Sequence, residues 1–262
     1  MKKAIIVTIA LSFLCLFGCE KTETVIYTTE DGKKTSDITE IEGKASYEVI
    51  GNQEVSIEAN KLHEQARIAG QAGDYEKAIS LLNKAISISP NWAYPYYDLA
   101  YTYLLIGSNA KALEMYRKVD KLEPKGFFTT KTAIWCLERE KDNTFPEGLY
   151  LSYLYLEWVE PEKKLNIING IITKIPAFAP AWKEKALLVD DDKEKRIIID
   201  KALDLNPDPG IYGILILNKA SLLYGLGKKR EAIDMITKLI NNKNTTTGIS
   251  VMAKESLKSF KL

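Results

Sequence analysis

From residue 57 onward, apolar side chains return every three or four positions, the period of an amphipathic α-helix rather than a strand. Leu62, Ala66 and Ala69 mark the inward face of one helix, and Ala78 and Leu82 that of the next, which ends before Pro90. The layout returns in Tyr96, Leu99, Ala100 and Tyr103, then Ala112 and Tyr116, and closes before Pro124, 34 residues after Pro90. Gly73 and Gly107 fall between the helices, where the backbone must turn through left-handed φ. Proline cannot continue a helix, because its ring blocks the preceding turn. Alanines at 66, 78, 100 and 112 let antiparallel helices approach closely. Such a pair cannot bury its own apolar face, so neighbouring pairs must stack.

Later copies are looser. Gly148, Leu151, Ser152, Tyr155, Ile168 and Pro176 keep the register, followed by Trp182, Ala186, Val189, Ile199, Ala202 and Pro207. Ile216, Ala220, Leu223, Gly227, Ala232 and Ile236 form the last clear copy, and 247–262 reads as a capping helix with Val251 and Leu257 turned inward. Pro124 and Pro176 lie 52 residues apart, so the chain holds one helix too many, near 127–141. Either that helix packs as an outlier, or the pairs regroup as 127–158, 161–189, 192–226 and 228–260.

The spacing of aromatic, Leu, small residue and Tyr, then Ala, aromatic and Pro, resembles the tetratricopeptide repeat (TPR) from about 56 to 244. The resemblance implies an all-α fold over 57–262: a right-handed α-solenoid of stacked antiparallel helix pairs. It also implies a concave groove lined by the first helix of each pair, which binds a protein or peptide. By repeat position the groove would take Asn60, His63 and Arg67 from the first pair and Tyr94, Tyr97, Asp98 and Tyr101 from the second. Tyr94, Tyr97 and Tyr101 share one helix face. A tyrosine stripe is also what a core face looks like, but Leu99, Ala100 and Tyr103 already supply that face, so the stripe is assigned to the groove. Where the family's carboxylate clamp has Lys and Asn, this chain has His63 and Asp98, which disfavours a C-terminal acidic peptide as ligand.

The N-terminus has a different pattern. Lys2 and Lys3 precede an apolar run of 14 residues, Ala4 to Phe17, too short to span a bilayer comfortably but suited to a signal peptide. Its end, Leu16-Phe17-Gly18-Cys19, resembles the lipobox of bacterial lipoproteins. The resemblance implies removal of 1–18, lipidation of Cys19, and anchoring in the bacterial cell envelope, at the periplasmic face of the outer membrane if the source is Gram-negative. Two acyl chains hold a protein stably where one does not. Residues 19–56 read as a tether: Thr24 to Thr28 before Asp31-Gly32 is a hairpin signal, and Ser46 to Ile50 before Gly51-Asn52 a weaker one.

Composition narrows the chemistry. The net charge is +1, or −1 without Lys2 and Lys3, with no basic excess for nucleic acid. One His and three Cys leave little for metal binding or nucleophilic catalysis. Cys136 sits in an apolar run and is expected to be buried. His63 is expected on a helix surface rather than as a catalyst or ligand. Asp190-Asp191-Asp192 is read as a helix cap and 138–141 as a solvated charged face. No phosphate loop, catalytic triad or spaced metal ligands occur, so no enzyme, cofactor or small-molecule substrate is expected. The expectation is a membrane-anchored scaffold holding a partner protein in its groove. The alternative is a regulatory or assembly subunit, serving pilus assembly, outer-membrane protein insertion or cell-wall enzyme control, that binds through its outer surface.

Overall fold

The computed structural model describes residues 12–14, 24–29, 32–36, 45–50 and 55–261. Cys19 and most of the expected signal peptide lie outside them. Near the N-terminus β1 (Ser12–Leu14), β2 (Thr24–Thr29), β3 (Lys34–Thr35) and β4 (Ala45–Ile50) form a sheet in the order β1-β4-β2-β3. β2 and β3 pair antiparallel, Thr28 opposite Lys34, with Gly32 at φ +83° between them. β4 pairs antiparallel with all of β2, Thr24 opposite Ile50 through Thr29 opposite Ala45, and the turn expected at Gly51-Asn52 lies outside the described residues. That long ladder satisfies more backbone groups than a marginal hairpin would. β1, inside the segment assigned to the signal peptide, pairs parallel with β4.

The chain divides into two compact units, with the boundary inside one helix. Unit 1 carries the sheet, α1 (Ile57–Gln71), α2 (Tyr75–Ile88), α3 (Ala93–Leu105) and α4 (Asn109–Leu122) from Glu114 on. Gly73, at φ +79°, turns the chain between α1 and α2, and Asp74 caps α2 by accepting from the Lys77 amide at 3.1 Å. A Cβ built on Gly70 would sit 3.9 Å from the Ala78 Cβ, so the two backbones approach as closely as small residues permit. Ala66, Leu82 and Leu99 are buried at the centre, with Ile79, Leu81, Ile86, Tyr103 and Met115 around them.

Unit 2 holds the first residues of α4, α5 (Thr130–Lys141), α6 (Leu149–Leu154), a 3-10 turn at Tyr155–Trp158, α7 (Pro161–Lys174), α8 (Ala179–Leu188), α9 (Asp192–Asp204), α10 (Pro209–Gly225), α11 (Lys229–Asn241) and α12 (Thr247–Lys261). In this unit α10 packs most extensively on α11 and α8 on α9, with α12 against α11 and α7 against α8. Ala186, Ile199 and Ala202 are buried in one pair, Ala220, Ala232 and Ile236 in the next. The surplus helix α5 packs on α6 and also on α10. In the capping helix α12 it is Ile249 and Ala253 that are buried, while Leu257 packs at the edge of the same core.

Two expectations fail in this unit, for one reason. Glu140 is buried, not solvated: its carboxylate accepts from the Tyr150 amide at 2.6 Å and the Gly148 amide at 2.9 Å. It thereby satisfies the open N-terminus of α6, where Gly148 stands at φ +79°. This anchor sets the rotation of α6. Leu149, Tyr150, Tyr153 and Leu156 turn inward, whereas Ser152 and Tyr155, expected inside, are exposed.

Candidate functional site

The groove residues lie in unit 1, on α1 and α3. Asn60, His63 and Arg67 fall on one face of α1, and Tyr94, Tyr97, Asp98 and Tyr101 on one face of α3. The two faces meet where His63 Nε2 donates to Asp98 Oδ2 at 2.7 Å. Asn60 and Arg67 are exposed, and Arg67 Nη1 donates to Glu64 Oε1 at 3.5 Å. His63 is only 2% exposed, which corrects the helix-surface reading. Its ring meets Trp92 and Tyr94 edge-on at 4.9 and 4.8 Å, and burial of the imidazole is tolerable because Asp98 takes its N–H.

The tyrosine stripe is half-buried along its length. Phe127 and Phe128, just after Pro124, lie against it. Tyr94 meets their rings at 5.7 and 5.3 Å, and Tyr97 meets them at 5.6 and 4.8 Å and Tyr116 at 5.6 Å. Phe128 achieves this at φ +46°, a strained backbone for a bulky residue. Sequence reasoning missed both phenylalanines. Their signal was the Pro124-Lys125-Gly126 turn, but a left-handed Phe128 has none. Burial raises the pKa of neighbouring Tyr96, which stays neutral. The result is a polar rim, Asn60 and Arg67, beside an aromatic floor locked by the His63–Asp98 bond. An open cleft of about 360 Å³ elsewhere on α1 and the start of α2, lined by Gln65, Ile68, Ala69, Ala72, Asp74 and Lys77, contains none of these residues.

Unit 2 contains buried polar groups that sequence reasoning did not assemble. Asp208 Oδ1 accepts from Thr132 Oγ1 at 3.1 Å, the Gly210 amide at 2.9 Å and the Ile211 amide at 3.3 Å, capping α10 and tying it to α5. Burial raises its carboxyl above the usual range despite those bonds and Lys183. Burial likewise raises Glu140. For Glu184 burial acts upward, but the charge of Lys183, its ion-pair partner, prevails and the pKa is lowered. Tyr153 donates to Glu184 at 3.2 Å. Burial, then the carboxylates of Asp208 and Glu140, push the Cys136 thiol well up, which favours the neutral thiol over the thiolate. Asp191 caps α9 by accepting from the Glu194 amide at 2.7 Å. Among the described residues, no group of three His, Cys, Asp or Glu could hold a metal, and no helix is long and apolar enough to cross a membrane.

Three comparisons bear on this architecture. No curated protein matches the chain. Among solved structures it is similar to a thermophilic TPR protein of Thermus thermophilus, at 18% identity, covering 76% of this chain and 99% of that one with a TM-score of 0.33. It is also similar to YrrB, described as a TPR protein with an unusual peptide-binding site, at 14% identity, 78% and 92% coverage and 0.33. Pseudomonas aeruginosa pilF matches at 16% identity, 79% and 90% coverage and 0.33. Family models match residues 70–107, as TPR repeat, and 93–125, as tetratricopeptide repeat. Residues 70–125 are accordingly tetratricopeptide repeats.

Proposed function

We propose that the protein is a non-enzymatic scaffold of the bacterial cell envelope, held at a membrane by lipid on Cys19, that binds a partner protein on the α1–α3 face of unit 1. Repeats of this family generally mediate protein–protein interaction. The observation that carries the reading is the face itself: exposed Asn60 and Arg67 beside half-exposed tyrosines, over a floor fixed by His63 and Asp98. A polar rim around an aromatic centre is the anatomy of a binding interface, and Tyr and Arg dominate interface energetics.

The test compares the full chain with Arg67→Ala combined with Tyr101→Ala in co-purification from membranes. A partner bound by the wild type and weakened at least tenfold, about 1.4 kcal/mol, at unchanged melting temperature supports the face. A partner retained by the double variant overturns it. The anchor is tested separately: Cys19→Ser should abolish incorporation of labelled palmitate, and unchanged labelling would remove lipid from the reading.

A further inference from the structure

The segment from α6 to α7 exposes the wrong side chains for a solvated surface. Tyr155 and Trp158 are 51% and 79% exposed. They open and close one 3-10 turn, in which residues three apart eclipse, so both rings project on one side, in line with exposed Ser152. The opposite side is already filled by Leu149, Tyr150, Tyr153 and Leu156, so this helix pair does not need the outer rings for its own packing.

Charge says what the rings would meet. Glu157, Glu160 and Glu162 are exposed around the turn, and residues 155–162 contain no Lys or Arg. None of the three carboxylates makes an ion pair among the described residues. Lys163 follows as an exposed counter-charge, while Lys164 acts on half-buried Glu184. An anionic membrane or a nucleic acid would be repelled here. A cation is attracted twice, by the carboxylates and by the aromatic faces. The protein already pairs these groups, with the Arg139 guanidinium 3.9 Å from the Trp135 ring.

We infer that Tyr155 and Trp158, with Glu157 and Glu160, form a second docking surface, for an arginine- or lysine-bearing segment of a partner protein. It lies wholly within unit 2 and does not depend on the α1–α3 face.

The test uses the purified full-length chain and a labelled Arg-Pro-Leu repeat peptide, followed by fluorescence anisotropy. The peptide should bind, with affinity falling as salt rises. Trp158→Ala should weaken binding at least tenfold, and Glu157→Gln with Glu160→Gln should weaken it and flatten the salt dependence. Tyr101→Ala, in the other face, should leave it unchanged. These exposed positions leave the melting temperature in place; if Trp158→Ala lowers it, the glutamine pair decides. No binding up to about 1 mM peptide, equal binding of a Glu-Pro-Leu peptide, or unchanged affinity in the glutamine pair overturns the proposal. So does binding to vesicles of phosphatidylcholine and phosphatidylglycerol in place of the peptide, or self-association in sedimentation that Trp158→Ala abolishes.

Discussion

Tyr97 sits among the rings of Tyr116, Phe127 and Phe128, so its truncation removes packing as well as a surface group. Tyr97→Ala should cost about 1–3 kcal/mol, less than a fully buried aromatic because the residue is half-buried. The check is the urea midpoint; no change would mean that the ring is dispensable to unit 1. At this scale the sequence was informative about types and faces. The alanines at 66, 78, 100 and 112 are all buried, as helix periodicity required. It was uninformative about partners distant in sequence. Nothing near His63 announces that Asp98, 35 residues on, will accept its hydrogen bond. Nothing near Glu140 announces that an amide ten residues later will claim its carboxylate.

At the scale of the element, α10 is governed by its cap. Burial raises Asp208, so the folded chain holds that proton more tightly than the unfolded chain does. The stabilisation is complete below the ordinary carboxylate pKa and is lost as pH climbs through the raised folded value. Glu184, lowered, works the other way: its contribution is present above the ordinary value and lost as pH falls. Asp208→Asn keeps an acceptor for Thr132 and the amides and removes the titration. Relative to wild type it should gain stability as pH rises from about 4 to 8. Denaturation midpoints along that series give the answer, and a difference independent of pH would count against the assignment. Elements were legible wherever turn chemistry was local: Gly73, Gly107 and Gly227 all stand at positive φ between paired helices. The rotation of α6 was not, because a side chain from α5 sets it.

At the scale of the molecule, the all-α class was readable, but the packing within unit 2 was not. In a simple stack each repeat meets only its neighbours. Here α5 packs on α10 across four intervening helices, α6 to α9. Gly213→Ala probes the difference. A Cβ there would lie 2.5 Å from Ile249 Cγ2, so α10 and α12 must shift, at about 1–3 kcal/mol. Hydrogen exchange should show α5 losing protection together with α12, because both rest on α10. Loss confined to α10 through α12 would show that α5 stands independently.

The α5–α10 contact also bears on how such a chain can diversify. An open array lengthens by duplicating a pair, since each new pair needs only the surfaces its neighbours already present. Between α5 and α10 that freedom is gone. A pair inserted anywhere from 149 to 204 would carry Asp208 away from Thr132 and break the tie between α10 and α5. The number of helices in that interval is fixed by geometry, as in a closed ring, and inheritance can vary it only by rebuilding both ends at once.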